Sequence, residues 1–256
     1  MRCPARADDR PLASVETSPQ PGKPYAIPGL GLDLVPVPAG TFAMGSPFSE
    51  SGRRDDETLH PVVLSRPFWL GRTPVTQAQY ESVMGNNPSR FKGADLPVES
   101  VTWEEATAFC VKLTEQARAA GRLPDGYGYA LPTEAQREYA VRAGTGGRFA
   151  GELNAIAWYS GNSEEQAHPV GQKQPNAWGL FDMQGNVWEW CSDWYGSYPD
   201  EKVTDPAGPA RGNGRVYRGG AWFHSADLCR SAIRYHLAPD SRGSLLGFRV
   251  ALRPTP

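Results

Sequence analysis

Apolar and polar positions alternate from Asp33 to Met44, which predicts an early strand pair turning at Pro38-Ala39-Gly40. Ser46 to Leu59 is charged and lacks a period, so it reads as a loop. Val62-Val63-Leu64 and Phe68-Trp69-Leu70 are apolar runs of strand length. A first helix starts at Thr76, where Thr-x-x-Gln79 forms a capping box, and ends near Gly85. Thr102-x-x-Glu105 opens a second, in which Ala106, Phe109, Cys110, Leu113 and Ala117 fall on one face. Gly121 is its natural stop. A third helix is expected after Pro132-Thr133, ending near Gly144. Beyond Gly144 the helical period disappears, and loops with short strands are predicted. Trp188 and Trp190, with Trp194 following, read as core aromatics.

No linker-like break interrupts this pattern, so the 256 residues read as one domain over 27–256 after a polar tail, 1–26. Gly 28, Pro 24 and Trp 8 point to long ordered loops pinned by aromatic packing. The expected class is α+β, loop-rich, with few helices and short antiparallel strands. A net charge of −2 without a basic run excludes a dedicated nucleic-acid binder. No apolar stretch approaches the ~20 residues that span a bilayer. Residues 1–26 lack an apolar signal core, so a cytoplasmic location is expected of the chain as it stands. Cys3, Cys110, Cys191 and Cys229 show no CxxC spacing and describe neither a zinc site nor a disulfide scaffold. Cys110 and Cys191 read as small core residues.

Six ordered blocks carry a family resemblance. They are Val37-Pro38-Ala39-Gly40-Thr41-Phe42, Thr73-Pro74-Val75-Thr76, Leu96-Pro97-Val98-Glu99, Leu131-Pro132-Thr133-Glu134, Asn176-Ala177-Trp178-Gly179-Leu180 and Gly185-Asn186-Val187-Trp188-Glu189-Trp190. With Gly219-Gly220-Ala221-Trp222 and Gly247-Phe248-Arg249 they resemble the formylglycine-generating enzymes, or sulfatase-modifying factors, over nearly the whole chain after residue 27. The resemblance implies a C-type-lectin-like fold. It also implies copper held by two cysteines five residues apart, oxidising a substrate cysteine to formylglycine. Here the second cysteine is Cys229, but the first position is His224 and the neighbouring serine is Ala221. Imidazole and thiolate both bind copper, yet the pair of soft thiolates is broken. A surface His beside a semi-buried Cys is the plainer reading. The related non-haem iron sulfoxide synthases need a three-histidine helical domain, and His60, His168, His224 and His236 show no HxxxH spacing. No serine sits in a nucleophile elbow either.

Asp182, Gly185, Val187 and Glu189 form a candidate calcium site, two carboxylates with two carbonyls if the segment bends. The matching family positions hold a structural calcium, with Asn in place of Asp182. The alternative is that Glu189 caps a turn and Asp182 is solvated. A second family calcium loop is shortened between Arg148 and His168 and is not carried over.

The C-terminal segment mixes two kinds of position. Trp222, Arg230, Arg234 and Arg249 read as framework. Between them lie Phe223, His224, Ser225, Asp227, Leu228, Ile233, Tyr235, His236, Leu237, Ser241, Gly243, Ser244 and Leu245, without a 2.0 or 3.6 period. Core packing imposes a period, so these read as contact positions on a rigid loop scaffold. The layout resembles the variable proteins of diversity-generating retroelements, whose C-terminal cassette is rewritten at adenines. Each of the thirteen is reachable from an Asn codon by adenine changes. Lys, Glu, Gln and Met, which are not, are absent from Ala221 to Pro256. The expected function is non-catalytic binding of a protein or other surface ligand through residues 222–246, with Phe223, Tyr235 and Leu237 as apolar anchors. The alternative is a copper-dependent formylglycine-generating oxidase altered at His224/Cys229. A structural or regulatory module attached to a partner chain also remains open.

Overall fold

The structure is a computed structural model describing residues 18–255. Residues 1–17 of the expected tail lie outside the described residues. The packed domain begins before residue 27: Tyr25–Ile27 is strand β1, Tyr25 is buried, and the Trp69 indole donates to the Lys23 carbonyl.

Three small sheets carry the fold. The first joins β1 to β2 (Leu32–Val37), β5 (Phe68–Gly71), β12 (Ala251–Pro254) and β6 (Tyr127–Ala130), in that order and all antiparallel. The second runs β10 (Arg234–Leu237), β9 (Arg215–Arg218), β7 (Trp188–Trp194) and β11 (Leu246–Phe248). The third holds β3 (Gly40–Met44), β4 (His60–Leu64) and β8 (Val203–Thr204). Among the described strands only β7–β11 and β4–β8 pair in parallel. The expected strands on either side of Pro38-Ala39-Gly40 form but do not pair; β2 joins β5 and β3 joins β4. Leu32 and Leu34 are drawn into the core beneath the first two helices, whereas Met44 packs in a second core. Alternation fixes a strand's faces, not its partner.

Helices α1 (Gln77–Met84) and α2 (Trp103–Ala119) start at Thr76 and Thr102 with complete capping boxes. In α2 the expected face, Ala106, Phe109, Cys110, Leu113 and Ala117, is buried. Tyr80, Phe109 and Phe248 stack and edge against one another at 5.3–6.1 Å in the principal core. Trp190 is fully buried there and its indole donates to the Val101 carbonyl.

Helix α3 (Glu134–Arg142) is different. It is almost wholly buried, and four of its buried residues are charged: Glu134, Arg137, Glu138 and Arg142. Each finds an opposite charge. Glu189 of β7 accepts from Arg137 Nε at 2.9 Å and from Arg249 at 2.9 and 3.1 Å. Glu138 accepts from Arg142, from the Gly45 amide and from Arg218. Glu134 takes a bidentate pair from Arg234 at 2.8 and 2.7 Å. Burial alone raises the Glu134 and Glu189 carboxyls, but the guanidinium charges overcome it and hold both below the usual range. Unpairing buried partners in such a site costs roughly 3–5 kcal/mol. Glu189→Gln is therefore expected to lower unfolding free energy by about that amount in urea titrations. Because these pKa values are depressed, their stability contribution is present above pH ~4.5 and is lost as pH falls through the folded values.

Candidate binding face

The second sheet has two chemically opposed faces. Arg234 lies opposite Arg218, and Arg218 opposite Glu189, so one cross-strand row points charged side chains at α3. The residues between them carry rings to the other side. Trp188 meets Tyr217 at 5.1 Å and both Tyr235 and His224 at 5.6 Å, and Tyr217 stacks on Tyr235 at 5.9 Å. This cluster continues through His224, Phe223, Trp222 and Phe91, with centroids 5.6–6.2 Å apart. Buried at Trp188 and Trp222, the chain of rings reaches solvent at Phe223 (60% exposed) and Phe91 (39%).

Phe223, Ser225, Asp227, His236 and Leu237 are exposed, while His224, Leu228, Tyr235, Ser241, Gly243, Ser244 and Leu245 are half-buried. Twelve of the thirteen interleaved residues thus reach solvent. Ile233 does not: it is 1% exposed and belongs to the principal core, so it leaves the contact set. It precedes Arg234, whose inward side chain leaves the Ile233 side chain facing that core on the other side of the chain.

Other residues, unmarked by sequence reasoning, border the face. The 46–59 loop is tied to Arg230 by Glu50 (2.8 Å) and Glu57 (2.5 and 2.7 Å). From this loop Arg54 lies over the Tyr235 ring at 4.5 Å and donates to its hydroxyl at 2.9 Å. Phe48, on the same loop, is 91% exposed. On the far side Arg242 holds Glu105 of α2 with two bonds, which fixes the 238–245 loop. Asp227 pairs with Arg148, and His236 stacks on Tyr195 at 4.2 Å. Phe48, a lone aromatic in a charged loop, was the available sequence signal.

His224 and Cys229 stand in different environments. The Trp188 indole donates to His224 Nδ1 at 3.1 Å, which places the imidazole proton on the outward Nε2. Cys229 is fully buried beside Leu153 and Ala157. Burial pushes its thiol up to about 12, against a partly opposing bond with the Ala221 backbone. Gly220 sits at φ +80°, where a Cβ would lie 2.6 Å from Cys229 Sγ. No hydrogen bond joins His224 to Cys229 among the described residues.

The four calcium candidates do not assemble as a dication site. Glu189 already carries two guanidinium groups, and Arg137 Nη2 takes the Met183 carbonyl at 2.7 Å. Asp182 is buried; its Oδ2 accepts from the Gly171 amide and its Oδ1 has no partner. Burial, the largest cause, moves Asp182 up to about 6. Val187 is fully buried, and a Cβ at Gly185 would collide with the Trp158 carbonyl. A second positive ion next to Arg137 and Arg249 would be repelled, so the donor set fits guanidinium rather than calcium. No group of three or more His, Cys, Asp or Glu side chains is placed to hold a metal ion among the described residues.

The profile of the Sulfatase-modifying factor enzyme 1-like domain matches residues 29–254. The chain belongs to this family. Within it, the formylglycine-generating enzyme of Streptomyces coelicolor is 32% identical, over 96% of each chain. Treponema denticola variable protein 1 superposes with a TM-score of 0.80 at 35% identity, covering 91% of this chain and 99% of that one. PvdO from Pseudomonas aeruginosa gives the same TM-score at 29% identity, covering 92% and 99%. The family's loop-rich α+β fold is thereby established for this chain. Among the described residues no helix is long and apolar enough to cross a membrane.

Two outcomes follow from the site geometry. Removing divalent ions with a chelator is expected to leave the melting temperature unchanged, and added calcium to leave it unraised. His224 is expected to titrate below the free imidazole value of 6.5, since burial disfavours its cation. Its contribution to stability is complete above pH 6.5 and is lost as pH falls through the folded value, which an NMR titration of the ring reads directly.

Proposed function

We propose that this chain is a non-catalytic ligand-binding protein on the sulfatase-modifying factor fold. Its face is built from Phe223, His224, Ser225, Asp227, Tyr235, His236 and Leu237. One observation carries the reading. At the two positions where the enzymes of this family place copper thiolates, this chain has a neutral imidazole tied to Trp188 and a buried thiol held protonated. Ala221, 0% exposed, offers no hydroxyl there.

The surface suits binding. Exposed aromatic and aliphatic side chains sit among Ser, Asp and His on a backbone braced by buried ion pairs, the mixture that adaptable paratopes use. Phe223, Tyr235 and Leu237 are its anchors, and a protein partner is the ligand class that fits a flat aromatic patch. The 35% identity to the Treponema variable protein supports this reading, and with it a cassette open to diversification. A structural calcium plays no part in it.

The oxidase reading is favoured by the 32% identity to the Streptomyces enzyme across the full chain. The two separate in one assay: copper loading in air, followed by incubation with a Cys-x-Pro-x-Arg peptide. Binding alone predicts substoichiometric copper and unmodified peptide. Stoichiometric copper with formylglycine formation would sink the proposal and put His224 in a working active site.

A further inference from the structure

On the charged side of the second sheet, away from the ring cluster, lies a cavity of about 390 Å³. Its walls come from β3, β4, the start of α3, the end of β7, the start of β10 and the 196–209 segment, and include Met44, Trp194, Tyr198 and Val203. That size lies within the ordinary range for small-molecule sites. Besides Tyr198, four charged or titratable residues line it: His60, Glu134, Asp193 and Arg234.

Two of the four are spent. Arg234 gives Nε and Nη2 to Glu134 and Nη1 to the Gly196 and Asp56 carbonyls. Both Glu134 oxygens are taken by Arg234, and Tyr198 adds its hydroxyl at 2.8 Å. The other two keep one open position each. Asp193 is 4% exposed; its Oδ2 accepts from the Glu134 amide (2.9 Å) and the Ser192 hydroxyl (3.0 Å). Its Oδ1 has no hydrogen-bond partner among the described residues. His60 is 2% exposed, and its Nδ1 donates to the Thr58 carbonyl at 2.9 Å. That bond fixes the tautomer and leaves Nε2 as an acceptor, likewise without a partner among the described residues. With Asp193 ionised, as at pH 8, both open positions accept and neither donates.

We propose that this cavity binds a small apolar amine, with its ammonium on Asp193 Oδ1 and its hydrocarbon body between Trp194 and Tyr198. An anion would sit beside the Asp193 carboxylate, whose charge repels it, and the wall offers it only neutral donors such as Ser197. A neutral alcohol satisfies one acceptor but leaves the buried carboxylate without a directly bonded counter-charge. Burial first, then the Glu134 charge, pushes Asp193 up to about 7, with its two hydrogen bonds and Arg253 of β12 opposing. Arg253 and Arg215 act on this carboxylate only at a distance, and among the described residues none forms an ion pair with it, which a bound ammonium would do. The site is separate from the Phe223–Leu237 face and does not depend on that face's function.

The probes are cyclohexylmethylamine, cyclohexylmethanol and cyclohexanecarboxylate, titrated into the full chain at pH 8 by calorimetry and ligand-observed NMR. The amine alone is expected to saturate. Asp193→Asn should weaken it at least tenfold, with the fold checked by far-UV circular dichroism. Ala207→Trp narrows the cavity from its exposed loop without touching the carboxylate, and should weaken the amine similarly. The proposal is overturned if the amine fails to bind or if the alcohol or carboxylate binds as tightly. It also falls if a folded variant of either kind binds the amine as wild type does. Should Asp193→Asn fail to fold, Ala207→Trp decides alone.

Discussion

Buried guanidinium–carboxylate pairing around α3 is the constraint on which the rest of the structure depends. Glu134, Arg137 and Glu138 project from one short helix and hold Arg234 of β10, Glu189 of β7 and Arg218 of β9. Arg249, just beyond β11, closes on the same Glu189. A buried pair contributes little net stability against an apolar substitute, yet it is costly to leave half-made. Such pairs penalise any register but one. In this chain they fix, from the charged side, the strands whose other side carries the ring cluster and the core residues Trp188 and Trp190.

That division explains how so irregular a surface can exist. Of the side chains from Phe223 to Leu245 that reach solvent, Leu228, Tyr235 and Leu245 pack against the principal core and the other nine do not, while the backbone beneath them is clamped by Arg230, Arg234 and Arg242. Contact residues are then free to differ in size and polarity without a period. The same clamping displaced other chemistry. Arg137 reaches Glu189 and the Met183 carbonyl, supplying as a side chain the positive charge that a metal ion would otherwise bring.

What could be read from the chain was local. Capping boxes at Thr76 and Thr102, the apolar face of α2 and the buried Trp190 all follow from spacing within a few residues. The character of α3 was hidden for the opposite reason. Charged residues at helical spacing look like a solvated face, and their partners lie 52 to 100 residues away. Glu189 drew attention as a calcium ligand because a carboxylate shows its charge in sequence but not its counter-ion. Ile233 was grouped with the contact residues because it stands just before a four-residue strand, too short to show which way its neighbours face. Strand partners, set by which core each apolar side chain enters, were equally out of reach.

The most direct test of this separation is a library measurement. The twelve solvent-reaching positions between Phe223 and Leu245 are randomised in one pool, and Ile233, Arg230, Arg234 and Arg249 in a second. Each pool is displayed and sorted for protease resistance. Most members of the first pool are expected to remain folded while most of the second do not. Equal loss of folding in both pools would contradict it, because the face would then be part of what holds the protein together.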